Sequence, residues 1–320
     1  MPSFSLLHIS LTRPTLSHLD PRLPFGHVHI GTLVHWYSCR PGEGWEGFEG
    51  FDWDIEGNDD GAHHGNLFQV NVLDLMGEMS TLAKRDGYLV AMAPAQSYLD
   101  PGTSEFSRHV NLPPREDWQP TFFYAGRNTY AYILHVYGEE TFDFISIQLY
   151  EGWSSANYAI STKGVDPATY IASLVQNVTG SNGHGDGDGS GGGDGGGGGG
   201  WVVDFSTDPD SKVNQLGRQR IRIKKEQLVI GLANGWTTPP PNSKFLLLWP
   251  EACVKAFNDL RGGASGTRDT SSAAGFLGYM YWNLGDEGNA VELQKESDGG
   301  EQGKARVLHL ARELNPIFAN

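Results

Sequence analysis

Apolar and polar residues alternate strictly in one short segment of the chain, residues 50–57. Three acids occupy one side of this two-residue period and three bulky apolar residues occupy the other: Asp52, Asp54, Glu56, and Phe51, Trp53, Ile55. Successive side chains of a β-strand point to opposite faces, so the pattern predicts a strand with one acidic and one apolar face. An apolar face of this bulk favours cover by helices, with the acidic face toward an enclosed polar cavity. Barrels of parallel strands wrapped in helices provide that arrangement, with reactive residues at the carboxyl ends of the strands.

The acidic face has one chemical and two structural interpretations. Carboxylates roughly 7 Å apart on one strand face couple their titrations, so that one of them can hold a proton as a general acid. Alternatively, Asp52, Asp54 and Glu56 match positions 1, 3 and 5 of an EF-hand calcium loop, although position 12 would be His63 instead of glutamate. The third interpretation is a solvated edge strand whose acidic face arose by chance.

Beyond this segment, predicted strands and helices alternate along the chain. Apolar residues at helical spacing predict helices at 66–85, 125–138, 167–178, 249–260 and 303–315. Continuous apolar runs predict buried strands at 88–94, 142–150, 228–233 and 275–282. Such alternation is typical of an α/β fold with a parallel sheet covered by helices.

The chain divides into a poorly legible amino-terminal segment, residues 1–45, and one large domain, residues 46–320. In the first segment, residues 4–11 and 27–37 could each be a strand, but prolines interrupt any clear period. Within the second, residues 180–200 are almost all glycine with a few polar residues, and this composition predicts a flexible surface insertion.

Composition narrows the classes of partner. The net charge of -15 argues against nucleic acids and anionic membranes and is compatible with a neutral sugar polymer. No run approaches the roughly 20 apolar residues of a membrane span. Cys39 and Cys253 form neither a disulfide framework nor a zinc set, although they could pair with each other.

The residues from Glu49 to Glu56 resemble the active-site signature of glycoside hydrolase family 18, which contains chitinases and endo-N-acetylglucosaminidases. That signature reads Asp-Gly-x-Asp-x-Asp-x-Glu, and Glu49 replaces its first Asp. Three later segments also resemble family motifs at the ends of strands: Met92-Ala93-Pro94, Gln148-Leu149-Tyr150-Glu151, and the strand that closes at Trp282. The resemblance implies a TIM (β/α)8-type barrel. Because about 50 residues cannot hold the three βα units that normally precede the signature, we expect the barrel to be incomplete at its amino terminus.

The resemblance also implies a reaction and a role for each site residue. The chain would hydrolyse β-1,4 linkages between N-acetylglucosamine units, with the substrate's own acetamide oxygen as nucleophile and retention of configuration. Glu56 would be the general acid and base, Asp54 would stabilise the intermediate, and Asp52 would share a proton with Asp54. Tyr150 would orient the acetamide, and the substrate-binding set would also include Gln148, Met92 and Trp282. No metal and no organic cofactor are implied.

Two other functions remain open on the same scaffold. The first is a catalytically inactive, lectin-like protein that binds chitin or another sugar. The second is an endo-N-acetylglucosaminidase that acts on N-glycans. The family suggests an extracellular location, whereas the residues from Met1 to Leu7 lack the basic start of a signal peptide.

Overall fold

The structure is a computed structural model that describes residues 6–9, 49–55, 67–109, 127–152, 154–180, 199–235, 237, 245–262, 276–289, 291–293 and 305–318. Three predicted features fall outside these ranges. They are the strand at 27–37, nearly all of the glycine-rich insertion, and the segment that contains Glu56 and His63. The pairing of Cys39 with Cys253 involves a residue outside them as well, while Cys253 is a buried free thiol.

A six-stranded parallel sheet forms the centre of the described fold. Its strands are, in spatial order, β1 (Leu6–Ile9), β2 (Gly50–Trp53), β3 (Leu89–Met92), β4 (Phe144–Gln148), β7 (Leu228–Ala233) and β8 (Gly278–Trp282). Spatial order follows chain order, as expected when each strand returns through a helical crossover. The α/β class and the parallel sheet therefore agree with the prediction. A closed barrel would also require β8 to pair with β1, and the pairings among the described residues do not include it.

The longer helices in the described part of the chain are α1 (Val70–Arg85), α2 (Ala131–Tyr137), α3 (Pro167–Thr179), α4 (Pro250–Gly262) and α5 (Leu310–Phe318). The ends of α3 are encoded locally. Asp166 caps its start by accepting a hydrogen bond from Thr169 N at 2.9 Å, and Pro167 occupies the first turn. Gly180 ends the helix with a φ of 70°, a left-handed conformation that favours glycine. None of the described helices is long and apolar enough to cross a membrane.

The apolar face of β2 packs into the main core. Phe51 and Trp53 are almost completely buried, and their rings meet edge to face with centroids 5.0 Å apart. Trp53 Nε1 donates a hydrogen bond of 2.8 Å to Ser80 Oγ on α1, so the strand and the helix are joined by both packing and a polar contact. Full burial of each such side chain contributes roughly 1.5–3 kcal/mol.

Two antiparallel strand pairs lie beside the main sheet. The first pair is β5 (Trp201–Asp204) with β6 (Arg218–Ile221), and the second is β9 (Val291–Leu293) with β10 (Ala305–Val307). The second pair corrects the predicted helix at 303–315, because residues 305–307 are a strand and α5 begins only at Leu310. The pairing with β9 supplies backbone hydrogen bonds that override the local helical pattern.

Candidate active site

The register of the parallel strands assigns the residues of β2 to two faces of the sheet. Asp52 pairs with Ala91 of β3, whereas Trp53 pairs with Met92, which in turn pairs with Ile145 of β4. Paired residues of parallel strands point to the same side. One face therefore carries Asp52 and is called the acidic face below.

The acidic face continues across the sheet with a mixture of polar, small and apolar residues. Its polar and small residues include Asp52, Asp54, Ala91, Ala93, Ser146, Gln148, Gly231 and Ala233, and its larger apolar residues are Phe144, Val229, Met280 and Trp282. Ala91 and Ala93 are completely buried and Gln148 is 2% exposed, so the face is covered at β3 and at the end of β4. Asp52 and Asp54 are half-buried.

Gln148, at the carboxyl end of β4, contacts Asp54 directly. Its Nε2 donates a hydrogen bond of 2.9 Å to Asp54 Oδ1 and a second one to the backbone carbonyl of Ala93. Because both Nε2 protons are committed, any contact between Gln148 and a substrate donor falls to its Oε1. Gln148 thereby links the carboxylate of Asp54 to the carboxyl ends of β3 and β4.

Tyr130 holds the backbone of the acidic segment just beyond the end of β2. Its hydroxyl donates a hydrogen bond of 2.6 Å to Ile55 O and accepts one of 3.2 Å from Ile55 N. The ring is completely buried and stacks on Tyr98 with centroids 5.4 Å apart. Ile55 separates Asp54 from Glu56 in the sequence, so this contact fixes the chain between two predicted catalytic residues.

Two further residues of the predicted motif follow directly after β4. Leu149 belongs to the hydrophobic core, so Tyr150 continues on the side of Gln148. Tyr150 is 6% exposed, and its carbonyl accepts a hydrogen bond of 2.8 Å from Leu246 N. Glu151 is also buried. The buried ring of Tyr150 therefore lies at the same edge of the sheet as Asp54.

Trp282 ends β8 with its indole 47% exposed on the acidic face. The adjacent end of β7 holds the backbone beyond it, because Asn234 Oδ1 accepts a hydrogen bond of 3.1 Å from Asn283 N. Asn234 Nδ2 donates in turn to Asn283 O. An exposed indole beside buried polar groups suits contact with the apolar face of a ligand ring.

Of the predicted site residues, Asp54 and Gln148 are in direct contact, and Asp52, Tyr150 and Trp282 lie on the same face or edge of the sheet. Met92 does not join them, because its register with Trp53 places it on the apolar face, where it is completely buried. Glu56 lies outside the described residues. Tyr130 and Asn234 were not predicted. Their contacts with the site run through backbone groups, which leave no motif in the sequence.

The arrangement of β2 also decides between the structural interpretations of the acidic segment. The strand lies between β1 and β3, so it is not at the edge of the sheet. Asp52 is inside a strand paired on both sides, which is incompatible with the first position of an EF-hand loop. Within the described residues, no group of three or more His, Cys, Asp or Glu side chains could hold a metal ion.

A buried polar network adjoins the carboxyl end of β3. Asp100 accepts hydrogen bonds from Ser155 Oγ at 2.5 Å and from Gly102 N at 2.8 Å. Burial raises the pKa of the Asp100 carboxyl above its ordinary value, although the hydrogen bonds act in the opposite direction. Nearby, Gln96 Nε2 donates to the hydroxyl of Tyr170 at 2.6 Å, and burial raises the pKa of that hydroxyl too. The network joins the segment after β3 to the segments after β4.

An open groove of about 470 Å³ lies elsewhere, on the outer helices. It is lined by residues of α4 and by Glu313 of α5, and none of the predicted site residues contributes to it. Its rim carries Arg306, which pairs with Glu251 and Glu313 and lies over the ring of Trp249 at 5.4 Å. The groove has no part in the candidate active site.

Comparisons with known proteins give one distant likeness. No family model matches the sequence, and no curated protein matches it. Among solved structures, the fold is similar to that of a family GH18 chitinase from Chromobacterium violaceum, with 14% sequence identity and a TM-score of 0.43. The match covers 73% of this chain and 50% of the chitinase chain. This chain thus matches about half the length of that structure.

Proposed function

We propose that this chain is a glycoside hydrolase that cleaves β-1,4 linkages between N-acetylglucosamine units in chitin or chito-oligosaccharides. The observation that carries the proposal is the contact between Gln148 and Asp54 on a face that also bears Asp52 and Trp282. Carboxylates, a buried amide and an exposed indole at the carboxyl ends of parallel strands suit a neutral, hydroxyl-rich ring. The motif from Glu49 to Glu56 supplies the reaction class.

The proposed scaffold is a (β/α)8-type barrel. Four strands follow β2 in the main sheet, and only β1 among the described strands precedes it. Burial on both faces of the sheet supports closure, since Ala91 and Ala93 on the acidic face are as inaccessible as Met92 on the other. In a closed barrel β8 would lie next to β1, and the acidic face would turn inward.

In the proposed reaction, Glu56 donates its proton to the glycosidic oxygen while the acetamide oxygen of the substrate attacks the anomeric carbon. The glycosidic bond breaks, and a positively charged oxazolinium ion forms. Asp54 accepts a hydrogen bond from the acetamide N–H and stabilises that charge. Water then attacks the anomeric carbon as Glu56 takes up its proton, which restores the enzyme and retains the configuration.

The residues around the acids have supporting roles in this proposal. Gln148 holds the carboxylate of Asp54, and Asp52 shares a proton with Asp54 through the cycle. Tyr150 orients the acetamide. The indole of Trp282 stacks against the face of the distorted sugar.

The test uses fluorogenic chitobiose and chitotriose substrates with the purified chain. We expect release of the fluorophore by the wild type and a loss of about 100-fold or more in Glu56→Gln and Asp54→Asn, the scale of general acid catalysis. Glu78→Gln, on the exposed side of α1, is the matched control and retains full activity. Equal nonzero rates in the wild type and Glu56→Gln would remove Glu56 from its role.

Two other outcomes would redirect the assignment. Binding of chito-oligosaccharide without any turnover by the wild type would identify a sugar-binding protein instead of an enzyme. Cleavage of a high-mannose glycoprotein in preference to chitin, read from the reducing ends released, would identify an endo-N-acetylglucosaminidase. Absence of both binding and turnover would overturn the proposal.

A further inference from the structure

Asn234 joins the ends of β7 and β8 through both its backbone and its side chain. Its backbone N donates a hydrogen bond of 3.3 Å to Trp282 O. Its carboxamide then pairs with the next residue, with Nδ2 donating to Asn283 O and Oδ1 accepting from Asn283 N at 3.1 Å. The side chain thus extends the ladder between the two strands by one residue.

The carboxamide is completely buried, which makes its chemistry specific. The backbone of Asn283 presents one donor, its N–H, and one acceptor, its C=O. Only a side chain that offers both an acceptor and a donor satisfies the two groups. An ionised aspartate has nearly the same shape but no donor, so its second oxygen would lie against the carbonyl oxygen of Asn283, where two acceptors repel each other. An alanine would leave both backbone groups without this partner, in a place where a lost hydrogen bond is not replaced freely by water.

Further contacts hold Asn234 and Asn283 themselves in place. Thr237 Oγ1 and Thr237 N both donate to Asn234 O, at 3.2 and 3.1 Å. Asn283 Nδ2 donates to Asp286 Oδ2 at 2.8 Å. The backbone after Trp282 is consequently fixed from two sides, while the indole itself stays half exposed.

We propose that Asn234 is a positioning residue that sets the orientation of the Trp282 indole as the sugar-stacking surface of the site. The backbone on the amino side of Trp282 is held by the pairing of β8 with β7, and Asn234 holds it on the carboxyl side. With both sides fixed, the Cα–Cβ bond of Trp282 points in one direction, onto the acidic face. The identity of the stacked ligand rests on the proposed function, whereas the orientation of the indole does not.

A double-mutant cycle tests whether Asn234 acts through Trp282. Binding of tetra-N-acetylchitotetraose is measured by calorimetry in a Glu56→Gln background, which prevents turnover. We expect Trp282→Ala to weaken binding about tenfold and Asn234→Ala about fivefold, the scale of one aromatic contact. In the Trp282→Ala background, Asn234→Ala should then have less than about a twofold effect, because coupled residues are not additive. An undiminished fivefold effect in that background would overturn the inference.

Asn128 offers a matched control for loss of stability alone. It is likewise a buried asparagine, whose Nδ2 donates to the carbonyls of Thr103 and Glu105, away from Trp282. Asn128→Asp and Asn234→Asp should both lower the melting temperature. Only Asn234→Asp should weaken oligosaccharide binding, by about as much as Asn234→Ala does. Equal weakening by Asn128→Asp would attribute the effect to destabilisation and contradict the positioning role.

A ligand-free measurement decides the inference even if no sugar binds. The chain is labelled with 5-fluorotryptophan, and Trp282→Phe identifies the 19F resonance of position 282. In Asn234→Asp this resonance should shift and broaden, while in Asn128→Asp it should stay in place. An unchanged resonance in Asn234→Asp would overturn the inference. A shifted resonance in a chain that binds no chito-oligosaccharide would uphold the positioning role and reject the proposed function.

Discussion

The hydroxyl of Tyr130 and the peptide groups of Ile55 form a reciprocal pair of hydrogen bonds, with Tyr130 Oη 2.6 Å from Ile55 O and 3.2 Å from Ile55 N. A side chain here substitutes for a neighbouring strand, because β2 ends at Trp53 and the sheet no longer pairs with the chain. The acidic segment is therefore held in extended form beyond the last ladder contact. The hydroxyl comes from a residue 75 positions away in the sequence.

Replacing this hydroxyl should weaken both the fold and the reaction. Tyr130→Phe keeps the buried ring but leaves the N–H and C=O of Ile55 without their partner. We expect a loss of about 1–3 kcal/mol in the free energy of unfolding. The rate constant kcat on a chitobiose substrate should fall about tenfold or more, because small displacements of catalytic groups strongly reduce the rate. Urea denaturation and steady-state kinetics measure the two effects.

Tyr88 provides the comparison for this variant. It is half-buried next to β3, and its hydroxyl makes no hydrogen bond with the described residues. Tyr88→Phe should leave both stability and kcat within error of the wild type. A Tyr130→Phe variant that is destabilised but fully active would show that the hydrogen bonds between Tyr130 and Ile55 serve folding alone.

Gln148 should control the acid side of the pH–rate profile through its contact with Asp54. In Gln148→Glu a second carboxylate would lie within hydrogen-bond distance of Asp54, and two such groups share a proton. The acid limb of kcat/KM should therefore move to higher pH by about one unit, the scale of such coupling. A pH series with the fluorogenic substrate measures it.

Gln227 is an internal match for that experiment. It is also a buried glutamine whose Nε2 donates to two backbone carbonyls, those of Glu139 and Phe142, but it lies before β7 at the opposite end of the strand. Gln227→Glu should reduce stability without moving the pH profile. The same displacement in both variants would refute a local effect on Asp54.

Among the ion pairs of the described residues, the buried pair of Arg108 and Asp208 should destabilise the fold most when it is broken. Both side chains are about 5% exposed or less, and they form two parallel hydrogen bonds of 2.9 Å. Arg108→Met would leave a buried carboxylate without its cation, and we expect a loss of about 3–5 kcal/mol in the free energy of unfolding. Chemical denaturation at neutral pH gives the value.

Two further variants serve as controls for this prediction. Arg108→Met combined with Asp208→Asn removes the unpaired charge and keeps an oxygen for the N–H of Asp210, so part of the stability should return. Lys255→Met disrupts an exposed pair with Asp259 on α4 and should leave the free energy of unfolding nearly unchanged. Equal losses at the buried and exposed pairs would contradict the prediction.

Asp100 and Asp166 should give pH dependences of opposite sign. Burial raises the pKa of Asp100, so the stability linked to its carboxyl is complete below the unfolded value near 3.8 and is lost as the pH rises through the folded value. The hydrogen bonds from Thr169 lower the pKa of Asp166, so its contribution is present above that value and is lost as the pH falls through the folded one.

Urea midpoints between pH 3 and pH 7 test both signs. Relative to the wild type, Asp100→Asn should gain stability as the pH rises, whereas Asp166→Asn should be the weaker protein at pH 7 and converge with the wild type in acid. Parallel curves for the two variants would show that neither carboxyl is perturbed by its surroundings.

The sequence predicted the elements well where the pattern is local. The strand at Leu228–Ala233 has the predicted bounds, because all six of its residues are buried and its apolar run is unbroken. The start of α3 was also predicted from a local signal, since Asp166 caps the helix and Pro167 occupies its first turn. The helix predicted at 303–315 failed at β10, because that strand depends on β9, which lies more than ten residues away.

From the sequence alone, the residues that share a face could be predicted only within a single strand. Asp52 and Asp54 follow from the period of one strand, and Gln148 and Tyr150 follow from a second. Met92 belongs to a segment that resembles a family motif, but its side chain lies on the face of Trp53 and not on the face of Asp52. Only the register between β2 and β3 reveals this. That register is set by pairing between distant segments, which a single strand's pattern does not encode.

The two-residue period of residues 51–55 separates core side chains from half-buried acidic ones. Positions 51, 53 and 55 bury their side chains in the core, while positions 52 and 54 remain half-buried on the other side. A designer could therefore exchange the even-numbered positions to install new chemistry while the odd-numbered ones keep the scaffold assembled. Under the proposed function, random mutagenesis of this segment should yield folded but inactive proteins at codons 52 and 54 and insoluble ones at codons 51, 53 and 55.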